Sequence, residues 1–260
     1  MATLTTHFDS KNQKGVIVLS LKEKESAVFL AKLPSRYRQC YITDEKLAER
    51  VATFKSTREA EIKEKIPDTN ETLKSGEFGE LLTFYMLPER YPDKTFLAPM
   101  KWHWKEDKNM PAHFSDVVLL SRFLKKPTPE DLIICCESKT RSTKPPKKVN
   151  PVQDAIDGAS HDYITRLATT LLWLKTKYKD ELDVEAVKLL DRYIDSPNPK
   201  NGPYKKHFKA VATVDTKFID DLIQNGFVIP AVKDHLEVIV VGISDLYTAY
   251  KTTYDLIPHH

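Results

Sequence analysis

Glycine and cysteine are both scarce in this sequence. Seven glycines occur among 260 residues, where average usage of about 7% would give roughly eighteen. None of them forms GxGxxG or GxxxxGKS/T, which removes the main support for a dinucleotide-binding or P-loop protein. The three cysteines cannot build a disulfide framework, and Cys135 and Cys136 are adjacent in an apolar run. This cysteine usage is typical of the reducing cytoplasm.

Long hydrophobic runs and a one-sided charge are also absent. No apolar run approaches the ~20 residues that a membrane helix needs, and the N-terminus lacks the apolar centre of a signal peptide. The 40 basic and 37 acidic residues give a net charge of +3, too even for a binder driven by charge alone. A hydrophobic fraction of 41% supports a packed core. We therefore expect a globular, cytoplasmic protein with no membrane partner.

The pattern of the chain changes near residue 70. Residues 15–21 and 26–33 predict two short strands, and residues 44–65 predict a charged surface helix. The segment PDTNETLKSG that follows has the composition of a linker. We predict an N-terminal accessory region at 1–70 and a main domain at 71–260.

In the main domain, helical and strand patterns alternate. Helices are predicted at 76–86, 151–178, 183–195, 217–225 and from 245, and strands at 113–120, 131–138, 207–214 and 235–243. Mixed strands covered by helices indicate an α/β layer fold.

Charged residues lie at the ends of two of these predicted strands. Glu137 and Lys139 are two positions apart in ESK, so on a strand they project from the same face. Asp116 in HFSD enters the neighbouring strand, and the hairpin-like connection between the strands could bring it beside Glu137. Burying such charges is costly unless they meet each other or a metal ion. The three residues therefore predict a functional site.

A divalent cation would relieve the repulsion between two close carboxylates. Oxygen ligands without a histidine cluster favour Mg²⁺ or Mn²⁺ over zinc. Such a cation can polarise a phosphodiester and help to generate hydroxide, while Lys139 orients water or balances phosphate charge. Two alternatives stay open: Glu137 and Lys139 as a solvated strand end, and Asp116 as a turn-capping residue.

This series of residues resembles the PD-(D/E)xK nuclease superfamily, whose core places an Asp at a strand start and (D/E)xK on the next strand. The resemblance implies a restriction-endonuclease-like core, a mixed sheet flanked by helices, in residues 71–260. Residue 115, before Asp116, is Ser where the superfamily pattern has Pro.

The same resemblance implies further residues on two helices. The first helix should carry an acidic residue, and in GEFGE we favour Glu80 over Glu77, which is then a surface charge. Gln153 would be the polar residue of the helix after the strand, although at a helix start it could instead satisfy backbone groups. The predicted metal ligands are Glu80, Asp116, Glu137 and Ser138.

A closer resemblance covers most of the chain from about residue 70. The segments GEFGELLTFYMLPE, W-x-W, HFSDVVLL and ESKTR, with the long helix after PVQDAI, are similar to the bacterial anti-phage HamA/AbpA group. This resemblance implies the nuclease subunit of a Hachiman or Abp defence system. It also implies a superfamily 2 helicase partner (HamB or AbpB) and cleavage of DNA after that helicase senses abnormal DNA.

Basic residues follow the predicted active strand directly. Arg141, Lys144, Lys147 and Lys148 lie where a cleft would meet a phosphate backbone, and we predict DNA contacts there, with a solvated loop as the alternative. Two functions remain: a Mg²⁺- or Mn²⁺-dependent deoxyribonuclease acting with a helicase, or a non-catalytic subunit that keeps the nuclease fold for DNA or helicase docking. The presence of Asp116, Glu137 and Lys139 together favours the enzyme.

Overall fold

A seven-stranded mixed sheet organises the part of the chain that the computed structural model describes, residues 3–122, 126–146, 149–194, 202–230 and 236–260. The strands in these ranges are β1 Phe8–Gln13, β2 Val16–Leu21, β3 Phe96–Leu97, β4 Val117–Ser121, β5 Leu132–Arg141, β6 Lys205–Asp215 and β7 Leu236–Ile243. Their spatial order is β1-β2-β7-β6-β5-β4-β3. The central strands β2, β7, β6 and β5 run parallel, and antiparallel strands lie at both edges.

Helices cover both faces of the sheet. The described α-helices are α1 Ser26–Leu30, α2 Leu33–Tyr41, α3 Asp44–Phe54, α4 Arg58–Lys63, α5 Glu71–Met86, α6 Pro151–His161, α7 Leu167–Asp180, α8 Val184–Ile194, α9 Ile219–Gln224 and α10 Leu246–Leu256. One apolar core packs α2, α5 and α10 on one face of the sheet. On the opposite face, a second core contains α6 and α9, and a third contains α7 and α8. The predicted α/β fold with a mixed, helix-flanked sheet is confirmed.

Side chains of β5 alternate between these cores, as expected for a strand buried on both faces. Ile134 and Cys136 face the core of α5, whereas Ile133 and Cys135 face the core of α7 and α8. Val117 of β4 lies opposite Cys136, so the residue before β4 arrives beside the residue after Cys136. This register brings the two charged strand ends together.

The N-terminal residues belong to the same sheet and the same core as the rest of the chain. Strand β2 pairs in parallel with β7, and Phe29, Leu33 and Tyr37 are buried with Phe78 of α5. The predicted boundary at residue 70 therefore has no counterpart in the sheet. Asn70 instead caps α5, its side chain accepting a hydrogen bond from the backbone N–H of Leu73.

Two predicted elements of this region are wrong. Residues 26–33 were expected to form a strand, but residues 26–30 form α1, and α2 begins at Leu33. The buried Phe29, Leu33 and Tyr37 recur every four residues, which is the period of one helix face. The predicted helix at 44–65 is two helices, because Lys55 takes a left-handed conformation with φ of 52° and ends α3.

We predict that Leu33→Ala destabilises the whole chain. Leu33 is fully buried in the core shared with α5, so the substitution should lower the free energy of unfolding by about 3 kcal/mol. The tryptophans all lie after residue 70, so their fluorescence during chemical denaturation reports on the predicted main domain. Leu172→Ala, at a side chain that is 55% exposed, is the control and should change little. An unchanged tryptophan transition in Leu33→Ala would instead support an independent N-terminal region.

Candidate functional site

Three carboxylates from different elements line one cavity of about 600 Å³ at the carboxyl end of β5. Glu80 comes from α5, Asp116 immediately precedes β4, and Glu137 lies on β5. Lys139, Arg141 and Arg166 line the same cavity. The structure thus brings together four of the five residues predicted to be catalytic, namely Glu80, Asp116, Glu137 and Lys139.

Asp116 is fixed by the backbone of the neighbouring strand. The N–H of Ser138 donates to Asp116 Oδ2 over 2.8 Å. Burial raises the pKa of Asp116, Lys101 opposes that rise, and the Glu137 carboxylate adds to it. Ser138, predicted as a metal ligand, lines the same cavity, and its hydroxyl lies 3.5 Å from Thr83 Oγ1 on the α5 side of the sheet.

Glu137 is buried between two cations. Its side chain is only 4% exposed; Lys139 Nζ donates to Oε1 over 2.6 Å, and Arg166 Nη2 donates to Oε2. The predicted common face of Glu137 and Lys139 is therefore observed. Burial alone would lower the pKa of Lys139, but the hydrogen bond and charge of Glu137 raise it above its ordinary value. Lys139 is thus a stable cation, unsuited to act as a base at neutral pH.

Arg166 was missed by the sequence analysis. It ends a π-helical segment, Asp162–Arg166, between α6 and α7, and π-helical turns are frequent at functional sites. Arg166 Nε donates to Asp162 Oδ1, and the same oxygen accepts a hydrogen bond of 2.8 Å from Ser115 Oγ. Ser115 thus links the start of β4 to the π-helical segment that carries Arg166. The superfamily pattern has proline at this position.

Lys101, which lies beside Glu80 and Asp116, was also missed by the sequence analysis. Lys101 is 5% exposed, and its Nζ lies 3.2 Å from Glu80 Oε2 and 3.7 Å from Asp116 Oδ1. Nζ also donates to the carbonyl of Ser115 over 3.1 Å. Burial raises the pKa of Glu80 to about 8, with Lys101 opposing the rise and Asp116 adding to it.

A family model described as HamA matches residues 2–256. The chain belongs to the HamA family. Membership implies a part in Hachiman anti-phage defence, and the match extends over the N-terminal residues as well as the site. No curated protein matches the chain. Across the described residues, no helix is both long and apolar enough to span a bilayer.

Glu77 of this HamA-family chain is not the surface charge that was predicted. It is 1% exposed, and its carboxylate accepts hydrogen bonds from Tyr41 Oη and Lys105 Nζ, each over 2.5 Å. Tyr41 also contacts Tyr254 Oη at 2.8 Å, so these tyrosine hydrogen bonds tie α5 to α2 and α10. Glu80, one helical turn later, is the residue that faces the site.

Gln153 does not join the cluster. Its Nε2 donates to Asp157 Oδ1 over 2.8 Å, and its Oε1 accepts from the backbone N–H of Val228 over 2.7 Å. It lines a separate cavity of about 650 Å³ beside α9, together with Lys144. The first turn of α6 points this side chain towards α9, so the structure does not bring Gln153 together with the other four predicted residues.

The predicted DNA contacts divide between the two cavities. Arg141 lines the site cavity, whereas Lys144 lines the neighbouring one. Lys147 and Lys148 lie outside the described residues. Basic side chains are therefore found on two adjoining concave surfaces.

The donor chemistry of the site suits a hard divalent cation, since Glu80, Asp116 and Glu137 offer only carboxylate oxygens. Glu80 Oε2 is buried and receives no well-aligned hydrogen bond from any described residue. Even so, no group of three or more His, Cys, Asp or Glu residues is arranged to hold a metal ion within the described ranges. Protein cations face all three carboxylates.

We predict that Gly158→Ala disturbs the site through Glu137. A Cβ at this position of α6 would lie 2.5 Å from Glu137 Cδ, which two cations hold in place. The substitution should lower the free energy of unfolding by about 1–3 kcal/mol, measured by chemical denaturation. Gly76→Ala in α5 is the matched control, because its Cβ would meet nothing within 4 Å. That variant should be neutral or slightly stabilised. A Gly158→Ala protein as stable as Gly76→Ala would contradict the close approach of α6 to Glu137.

Proposed function

We propose that this chain is a metal-dependent DNA nuclease, the effector subunit of a Hachiman complex with a superfamily 2 helicase. The observation that carries the proposal is the meeting of Asp116, Glu137 and Lys139 at adjoining strand ends, with Glu80 across the same cavity. This is the residue set of the PD-(D/E)xK pattern. HamA family membership supports the assignment to Hachiman defence.

Glu80, Asp116 and Glu137 would hold the Mg²⁺ or Mn²⁺ ion, which when bound polarises the phosphodiester and lowers the pKa of water. The reaction is hydrolysis: a water oxygen attacks phosphorus, one P–O bond breaks, and the leaving oxygen takes up a proton. Lys139, charged and 41% exposed, is placed to stabilise the negative charge that grows on the phosphate oxygens. Arg166 holds Glu137 from the opposite side.

DNA would reach the site along its basic rim. Arg141 lies two residues after Lys139 along β5 and lines the same cavity, and Lys144 lines the cavity beside α9. Cationic side chains of this kind bind the phosphate backbone without reading sequence.

The second candidate function is a non-catalytic subunit that keeps the nuclease fold for docking. One observation favours it: Lys101, Lys139 and Arg166 contact the three carboxylates, so protein cations already face them without any metal ion. A site that serves only structure would need no more than this balance of charge. The two candidates differ in whether purified protein hydrolyses DNA.

We predict that Glu137→Gln and Lys139→Met each slow cleavage of plasmid DNA by at least about 100-fold, because each loses one charge that the reaction needs. Wild-type protein should cut with Mg²⁺ or Mn²⁺ and stop in EDTA, as followed on agarose gels. Lys188→Met is the control, since Lys188 is exposed on α8 and pairs with Glu185 of the same helix. Far-ultraviolet circular dichroism verifies that each variant is folded.

Cleavage by both variants at the wild-type rate would overturn the site assignment. DNA binding by wild-type protein without cleavage in either metal would favour the non-catalytic subunit.

The helicase restrains the nuclease until it engages abnormal DNA. A nuclease without sequence readout would attack the host chromosome, so its activity needs a partner that withholds it. We predict that the wild-type chain expressed alone slows growth and fragments the chromosome, whereas co-expression with its helicase suppresses both effects. Chromosome integrity is measured by pulsed-field gel electrophoresis, with Glu137→Gln expressed alone as the harmless control. If the lone chain is inert in cells and as pure protein while the complex cuts DNA, the helicase is an activator and this restraint is wrong.

A further inference from the structure

Lys101 occupies an unusual place for a lysine. It lies in a short 3-10 turn, Lys101–Trp104, and its side chain is 5% exposed. Its Nζ is in ion-pair contact with both Glu80 and Asp116, which come from different elements. The carbonyl of Ser115 holds the same nitrogen at 3.1 Å. A cation of the protein therefore sits between two of the three carboxylates that would bind a metal ion.

We propose that Lys101 is a positioning residue that fills the cation position of the site and sets its affinity for the divalent ion. The inference rests on the proposed function, because it assumes that Glu80 and Asp116 bind such an ion. An ammonium group and a divalent cation compete for the same carboxylate oxygens and repel each other at this range. The ion can bind fully only when Lys101 Nζ moves away.

The structure provides a place for the displaced ammonium group. Lys101 lines a second cavity of about 210 Å³, which shares Pro111 and Ala112 with the site cavity, and Glu106 and Asp107 line it too. The four-carbon stem of lysine is flexible, so its head group can change partners while the backbone stays in place. Glu106 and Asp107 are both exposed and offer carboxylates to receive the charge.

The absence of a preformed metal-binding group in the described residues agrees with this arrangement. Without a divalent ion, the single charge of Lys101 offsets part of the negative charge of Glu80 and Asp116 and so reduces the cost of burying them. Binding of the metal ion then requires an exchange of cations. Affinity for the ion is lower than the carboxylates alone would give.

The test measures Mn²⁺ binding to the full chain by isothermal titration calorimetry, and by electron paramagnetic resonance of free Mn²⁺, without DNA. Lys101→Met should bind Mn²⁺ at least about tenfold more tightly than wild type, because the competing charge is gone. Lys101→Arg, which restores a cation, should bind as weakly as wild type. Lys101→Gln, whose amide can still donate to Ser115, replaces the Met variant if that protein does not fold.

Lys105→Met is the matched control. Lys105 lies four residues further on, its side chain is 4% exposed, and it pairs with Glu77 rather than with Glu80 or Asp116. Its loss should leave the affinity for Mn²⁺ unchanged. If Lys101→Met and Lys105→Met both bind Mn²⁺ more tightly than wild type, the effect comes from deleting any buried lysine, and the inference is overturned.

The remaining outcomes separate this inference from the proposed function. If wild type binds Mn²⁺ and Lys101→Met binds it no more tightly, the role of Lys101 is wrong while the metal-dependent nuclease stands. If neither wild type nor any Lys101 variant binds Mn²⁺, the metal-binding part of the proposed function fails together with the inference.

Discussion

The burial of the Glu137 carboxylate at the end of β5 is the interaction on which the site depends. A carboxylate that is 4% exposed is costly unless cations and hydrogen bonds satisfy it. Lys139 supplies one cation from the same strand face, and Arg166 supplies the other from the π-helical segment. Gly158 lets α6 approach closely enough for this contact, because any larger residue would meet Glu137 itself.

The surrounding elements serve this arrangement through a few shared residues. Ser115 donates to Asp162, which holds Arg166, and its carbonyl accepts from Lys101. The residue before Asp116 therefore contacts both sides of the site. On the α5 side, Gly79 allows close packing on β5, since a Cβ there would lie 2.0 Å from Thr140 Oγ1. Close packing of α5 brings Glu80 to the cavity.

The sequence was most informative where local periodicity determines the outcome. Glu137 and Lys139 share a face because strand side chains alternate, and Asp116 arrives beside them because β4 and β5 are neighbouring antiparallel strands. The mixed α/β layers also followed from alternating patterns of helix and strand. These features depend on short stretches of chain, or on two strands joined by one connection.

The residues that sequence analysis missed or misplaced depend on contacts between distant segments. Lys101 meets Glu80 and Asp116 from a 3-10 turn, a geometry that no pattern of apolar residues indicates. Arg166 lies at the end of a π-helical segment and reaches Glu137 from there. Gln153 contacts Val228 instead, and no local pattern in the sequence indicates that direction. The pairing of β2 with β7, more than 200 residues later, is another contact that no local pattern near residue 70 indicates.

We propose that Glu80, Asp116 and Glu137 form one divalent-cation site beside Lys139. Its most direct test is a crystal structure of the chain with Mn²⁺, using anomalous scattering at the manganese edge to locate the ion. We expect an anomalous peak within coordination distance of Asp116 and of at least one of Glu80 and Glu137, with Lys101 Nζ displaced from its contacts. A structure in saturating Mn²⁺ with no peak at these carboxylates and Lys101 still between Glu80 and Asp116 would contradict it.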